Sequence, residues 1–98
     1  MPVTVPPDVG TKLAAKVPPV TLDEIIQCFA SRTGKSLLDT RAKNLTSPPT
    51  KWFIAETEYG RKLKVCYIVL GNGEVVIKTA YDPNAEEVRI YTKYGEVK

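Results

Sequence analysis

From Lys51 onward the apolar residues of this chain recur at every second position, and the connections between these runs are very short. A period of two is the pattern of a half-buried strand. Four strands are expected, at 51–58, 62–70, 74–81 and 87–93. Tyr59-Gly60, Asn72-Gly73 and Asp82-Pro83-Asn84 are the turns between them. Asn-Gly is a strong hairpin signal. Connections this short cannot carry parallel crossovers, so the expected sheet is an antiparallel meander.

The segment before Lys51 reads differently. Thr21-Leu-Asp-Glu24 fits a capping box with acids in the first helical turn. Leu22, Ile25, Ile26 and Phe29 then share one face of a helix over 21–30. Ser36-Leu-Leu-Asp39 opens a second short helix or turn through Lys43, and Ser47-Pro48-Pro49 closes the helical part. Helix first and strands after make the fold class α+β. Five of the eight prolines fall within residues 1–20. That segment is expected to be a proline-rich flexible arm with a short turn near 11–16, and residues 21–98 a single domain.

Counting from two-residue turns sets a register. It pairs Ile68 with Ile77, Cys66 with Thr79, Lys64 with Tyr81, Phe53 with Cys66, Ile77 with Ile90 and Thr79 with Val88. The core face then carries Phe53, Cys66, Ile68, Leu70, Val75, Ile77, Val88 and Ile90. The opposite face carries Trp52, Ile54, Glu56, Leu63, Val65, Tyr67, Val69, Val76, Lys78, Arg89 and Tyr91. Lys78 and Arg89 stand opposite each other there, and two cations so placed repel unless an anion joins them.

Composition narrows the chemistry. The chain has no His, two Cys and a net charge of +3. Serine-histidine, cysteine-histidine and HExxH zinc sites are therefore excluded. Cys28 and Cys66 read as reduced packing residues, and no metal or cofactor is expected. No apolar run approaches the ~20 residues of a membrane span, and nothing at the start reads as a secretion signal, so the expected location is the cytoplasm. Gly34-Lys35-Ser36 is not a phosphate loop, because the required earlier glycine position is Phe29.

The run Pro49-Thr50-Lys51-Trp52-Phe53-Ile54-Ala55-Glu56-Thr57, then Gly60-Arg61-Lys62-Leu63-Lys64-Val65, then Ile77-Lys78-Thr79-Ala80-Tyr81, resembles a prokaryotic family of small proteins of unassigned function. That family is similar to the RelE, ParE and BrnT toxins, and the resemblance covers about residues 21–94. It implies a RelE-like fold, an antitoxin protein as partner, and either of two activities. One is metal-independent RNA cleavage, with Lys78, Arg89, Glu56 and Arg61 in catalytic roles and Trp52, Tyr67, Tyr91 and Arg41 binding RNA. Cations can stabilise a crowded phosphate transition state, and aromatic faces can stack bases. The other is a non-catalytic, ParE-like protein-binding module. Relatives labelled as ADP-ribosyl-dinitrogen reductase hydrolases suggest a third activity, for which the chain has no comparable acid cluster.

Overall fold

The computed structural model describes residues 3–32, 35–38 and 49–95. The protein is α+β: three helices and a five-stranded mixed sheet. In chain order the elements are β1 (Val3–Thr4), α1 (Pro7–Ala14), α2 (Leu22–Ser31), β2 (Leu37–Leu38), β3 (Lys51–Glu56), β4 (Lys62–Val69), β5 (Val75–Tyr81) and α3 (Ala85–Tyr94). The strand order is β1-β5-β4-β3-β2. β2, β3, β4 and β5 pair antiparallel, while β1 joins β5 in parallel.

α2 forms as the capping box requires. The Thr21 hydroxyl accepts from the Glu24 amide at 3.2 Å, and the Glu24 carboxylate accepts from the Thr21 amide at 3.1 Å. Its inward face is Ile25 and Cys28, both fully buried, with Phe29 half-buried. Leu22 and Ile26, expected in the core, are exposed instead.

Three expectations need correction. The segment 1–20 is no loose arm: it contributes β1 to the sheet, and α1 packs on β5 with Val9 and Leu13 in the core. Proline does not forbid this helix, because Pro7 lies in its first turn, where the amide has no helical partner anyway. The eight residues after it, 8–15, contain no proline. Next, residues 87–93 are not a fourth strand. They lie in α3, which begins at an Asn84/Glu87 capping box: Asn84 Oδ1 accepts from the Glu87 amide at 2.8 Å and Glu87 Oε1 from the Asn84 amide at 3.0 Å. The sheet is therefore not a four-stranded meander. Last, Leu37–Leu38 form β2 instead of opening a helix, and the rest of that expected element, 39–43, lies outside the described residues.

The register differs for one shared reason. Both hairpins close over three residues, not two. Thr57 donates its amide to the Arg61 carbonyl at 2.9 Å around residues 58–60, and Leu70 donates to Glu74 at 2.9 Å around residues 71–73. In each loop the third residue is a glycine at positive φ, Gly60 at 82° and Gly73 at 88°. This is the conformation that completes a three-residue hairpin and that only glycine adopts freely. The extra residue sets Phe53 opposite Val65, not Cys66. The α2-covered face of β4 is thus Leu63, Val65 and Tyr67, all expected on the opposite face, in place of the expected Cys66. On β5 a bulge restores the count: Tyr67 pairs Ile77, Cys66 pairs Thr79, and Lys78 has no rung of its own. So Cys66–Thr79 and Lys64–Tyr81 pair as expected, while Ile68 meets Val76 and not Ile77.

α2 covers one face of β3 and β4, where Phe29 meets Phe53 and Tyr67 edge-on, with ring centroids 4.8 and 5.4 Å apart. α3 covers the other, with Tyr91 5.8 Å from Trp52. No helix among the described residues is long and apolar enough to cross a membrane.

Candidate functional site

Of the residues expected to act together on one open face, Trp52 and Tyr91 meet and Glu56 lines a cleft with Tyr91, while the others lie elsewhere. Lys78 is exposed at the β5 bulge. Arg89 is on α3, not opposite Lys78 on a strand, and pairs with Glu86 one turn earlier; the guanidinium holds the Glu86 carboxyl below the usual range. Glu56 ends β3 at the mouth of a cleft. Tyr67 is on the α2-covered face, its ring against Phe29 and Phe53 and its hydroxyl on Ser36 and Arg32. It offers no open stacking surface. Trp52 and Tyr91 are buried against each other. Arg41 lies outside the described residues.

Arg61 is held on every side. Its guanidinium bonds Asp82 Oδ1 at 2.7 and 3.0 Å, Glu24 at 3.2 Å, and the carbonyls of Pro18 and Pro19 at 3.0 and 2.8 Å. Burial pulls its pKa down, but the hydrogen bonds it donates to Asp82 and Glu24 outweigh that and raise it. One side chain thereby joins the β3–β4 hairpin to the start of α2, the link before it and the end of β5. Arg61→Gln is expected to cost about 1.5–3 kcal/mol, the range for hydrogen bonds to charged groups. A urea midpoint equal to that of the wild type would contradict this tie.

A cation between aromatic rings does form, around a residue the sequence reasoning did not single out. Lys64 is buried on the α3-covered face, its side chain only 7% exposed. Its ammonium lies 4.5 Å from the Trp52 ring centroid and 5.5 Å from that of Tyr81. It donates to Glu87 Oε2 at 2.7 Å, and the Tyr81 hydroxyl donates to the same oxygen at 2.7 Å. Burial pushes Lys64 toward neutrality, yet hydrogen bonds to Glu87 and Tyr81 outweigh it and its pKa is raised. Burial likewise disfavours the Glu87 carboxylate, and Lys64, the Asn84 amide and Tyr81 reverse that, so its pKa is lowered. Both groups are therefore held charged at neutral pH. The sequence signal for this cluster was Asn84-Ala-Glu-Glu87: a helix starting there points Glu87 back at the sheet, whereas a strand does not.

Both cysteines are buried and unbridged. Burial, with Glu24 nearby, pushes the Cys28 thiol up to about 11, which leaves no thiolate for nucleophilic chemistry near neutral pH. Among the described residues no group of three or more acids or thiols could hold a metal ion.

On the outside, α2 presents Leu22 and Ile26, 45% and 47% exposed, four residues apart on one stripe. The Glu58 amide donates to Gln27 Oε1 at 2.9 Å, which brings the β3–β4 hairpin tip, with Tyr59 92% exposed, alongside this helix. Asp23 and Glu58, both exposed, are without an ion-pair partner among the described residues. No protein-family model matches the chain, and no curated protein or solved structure gives a match.

Proposed function

We propose that the protein works by binding another protein, as the non-catalytic member of a toxin–antitoxin type of pair, with the outer stripe of α2 as its contact surface. The observation that carries this reading is the exposed Leu22/Ile26 stripe on α2. Isolated exposed apolar residues are ordinary, but neighbouring ones rimmed by polar groups mark contact sites. The rim here is acidic, through Asp23 and Glu58. The matching partner segment is an amphipathic one with Lys or Arg beside its apolar anchors. Arg61 and Arg89, needed for the RNA-cleaving alternative, are occupied by internal acids.

RNA cleavage is the second reading, and what favours it is the Lys64 cation set between Trp52 and Tyr81. The two separate in one set of experiments. The chain is co-expressed with the products of neighbouring genes and any stoichiometric complex is isolated. The Leu22→Lys/Ile26→Lys variant should keep the wild-type unfolding midpoint, since both positions are exposed. It should lose the complex by roughly 30-fold or more, as for an interface anchor worth ~2 kcal/mol. A complex indifferent to that variant sinks the stripe. Cleavage of RNA by the purified protein, lost in Lys64→Met, replaces the binding reading with the catalytic one.

A further inference from the structure

A cleft of about 450 Å3 opens at the end of β3, lined also by Lys62 of β4, by α3 and by Ser31 at the end of α2. That volume falls within the ~300–1,000 Å3 of small-molecule sites. On the sheet side it is lined by Ile54, Glu56 and Lys62, and on the α3 side by Val88, Tyr91 and Thr92. Glu56 and Lys62 are direct partners across the strands, so their side chains leave the same face. Opposite charges so placed ordinarily pair. Here they do not: neither makes an ion pair with the other or with any described residue. The cleft is thus lined by one carboxylate and one ammonium that have no ion-pair partner among the described residues. Ile54 and Val88, both half-buried, add apolar surface beside them.

A ligand that satisfies all three features carries its own ammonium, its own carboxylate and a short apolar group. We propose that this cleft binds a free aliphatic α-amino acid. The ammonium faces Glu56, the carboxylate faces Lys62, and the side chain lies between Ile54 and Val88. The Tyr91 ring and the Thr92 side chain close the α3 side. This site is separate from the α2 stripe and does not depend on it. Glu56 and Lys62 are both exposed, so water competes with each contact and binding near the millimolar range is expected.

The test is an NMR titration of the 15N-labelled chain with L-leucine to about 20 mM, well past a millimolar Kd. Saturable shifts should be confined to residues 54–57, 62 and 88–92. N-acetyl-leucine, which has lost the ammonium, and leucinamide, which has lost the carboxylate, should each bind about tenfold or more weakly, for one charge-assisted contact removed. Glu56→Gln should weaken leucine and leucinamide but leave N-acetyl-leucine unchanged. Lys62→Gln should weaken leucine and N-acetyl-leucine but leave leucinamide unchanged. No saturation with leucine, equal binding of the three compounds, or shifts on the outer face of α2 would overturn the proposal. The wild-type compound series decides the matter even if a variant folds poorly.

Discussion

Phe53→Ala is expected to destabilise the protein by about 3–5 kcal/mol, the range for removing a buried aromatic ring from a well-packed core. Phe53 is fully buried at the centre of β3. Phe29 and Tyr67 meet its ring edge-on at 4.8 and 5.9 Å, and the Arg32 guanidinium lies 5.3 Å from its centroid. Small domains have only ~5–15 kcal/mol in total, so much of the margin would go. Trp52, the single tryptophan and itself buried, reports unfolding by fluorescence. A denaturation midpoint that moves by less than the equivalent of about 1 kcal/mol would show that Phe53 does not anchor the α2 side.

The other large effect is at Glu87. Removing one partner of a buried pair leaves an uncompensated charge, at a cost of about 3–5 kcal/mol. Glu87→Ala strands the Lys64 ammonium under α3 and also deletes half of the capping box that starts that helix. Lys64→Met/Glu87→Leu should be markedly milder than Glu87→Ala alone, because nothing charged is left behind. The pair also fixes a pH window. Glu87 is depressed in the folded state, so its contribution is present above about pH 4 and is lost as pH falls through its folded value. Lys64 is raised, so its contribution is present below about pH 10 and is lost as pH rises through its folded value. Unfolding midpoints measured across pH should therefore show a plateau that Lys64→Met/Glu87→Leu flattens at both ends. An unchanged pH profile in that variant would mean the pair does not set it.

Local signals on neighbouring residues read well. The Thr21–Glu24 box placed α2, and the period-two runs placed β3, β4 and β5 within a residue or two. What failed was anything set by one residue of offset. Tyr59-Gly60 and Asn72-Gly73 each look like a complete two-residue turn, yet in both the glycine is the third residue of the loop. That single position decides which side chains of β4 face α2 and which face α3. α3 misled for a different reason: Val88, Arg89, Ile90 and Tyr91 alternate as a strand would, and over so few residues the two periods are hard to tell apart. The parallel β1–β5 pairing joins Val3 to Val75, and no local pattern announces a contact that distant. The candidate site was lost along with the register. Trp52 was correctly placed opposite the Phe53 face, but the expected cations Lys78 and Arg89 are not its neighbours, and Lys64 is.

The bulge at Lys78 has a bearing on how this chain can change length. Every other described position in β5 is committed to a rung, so deleting one, such as Val76, would turn the residues on one side of it over and send core side chains into water. Lys78 alone has no rung opposite, and the residues flanking it already meet Tyr67 and Cys66, which are consecutive on β4. Its loss would leave Ile77, Thr79, Ala80 and Tyr81 facing as they do now, on a straighter strand. The bulge is thus a natural point for insertions and deletions within an otherwise length-intolerant sheet, and homologous chains of unequal length could keep the same core by differing there.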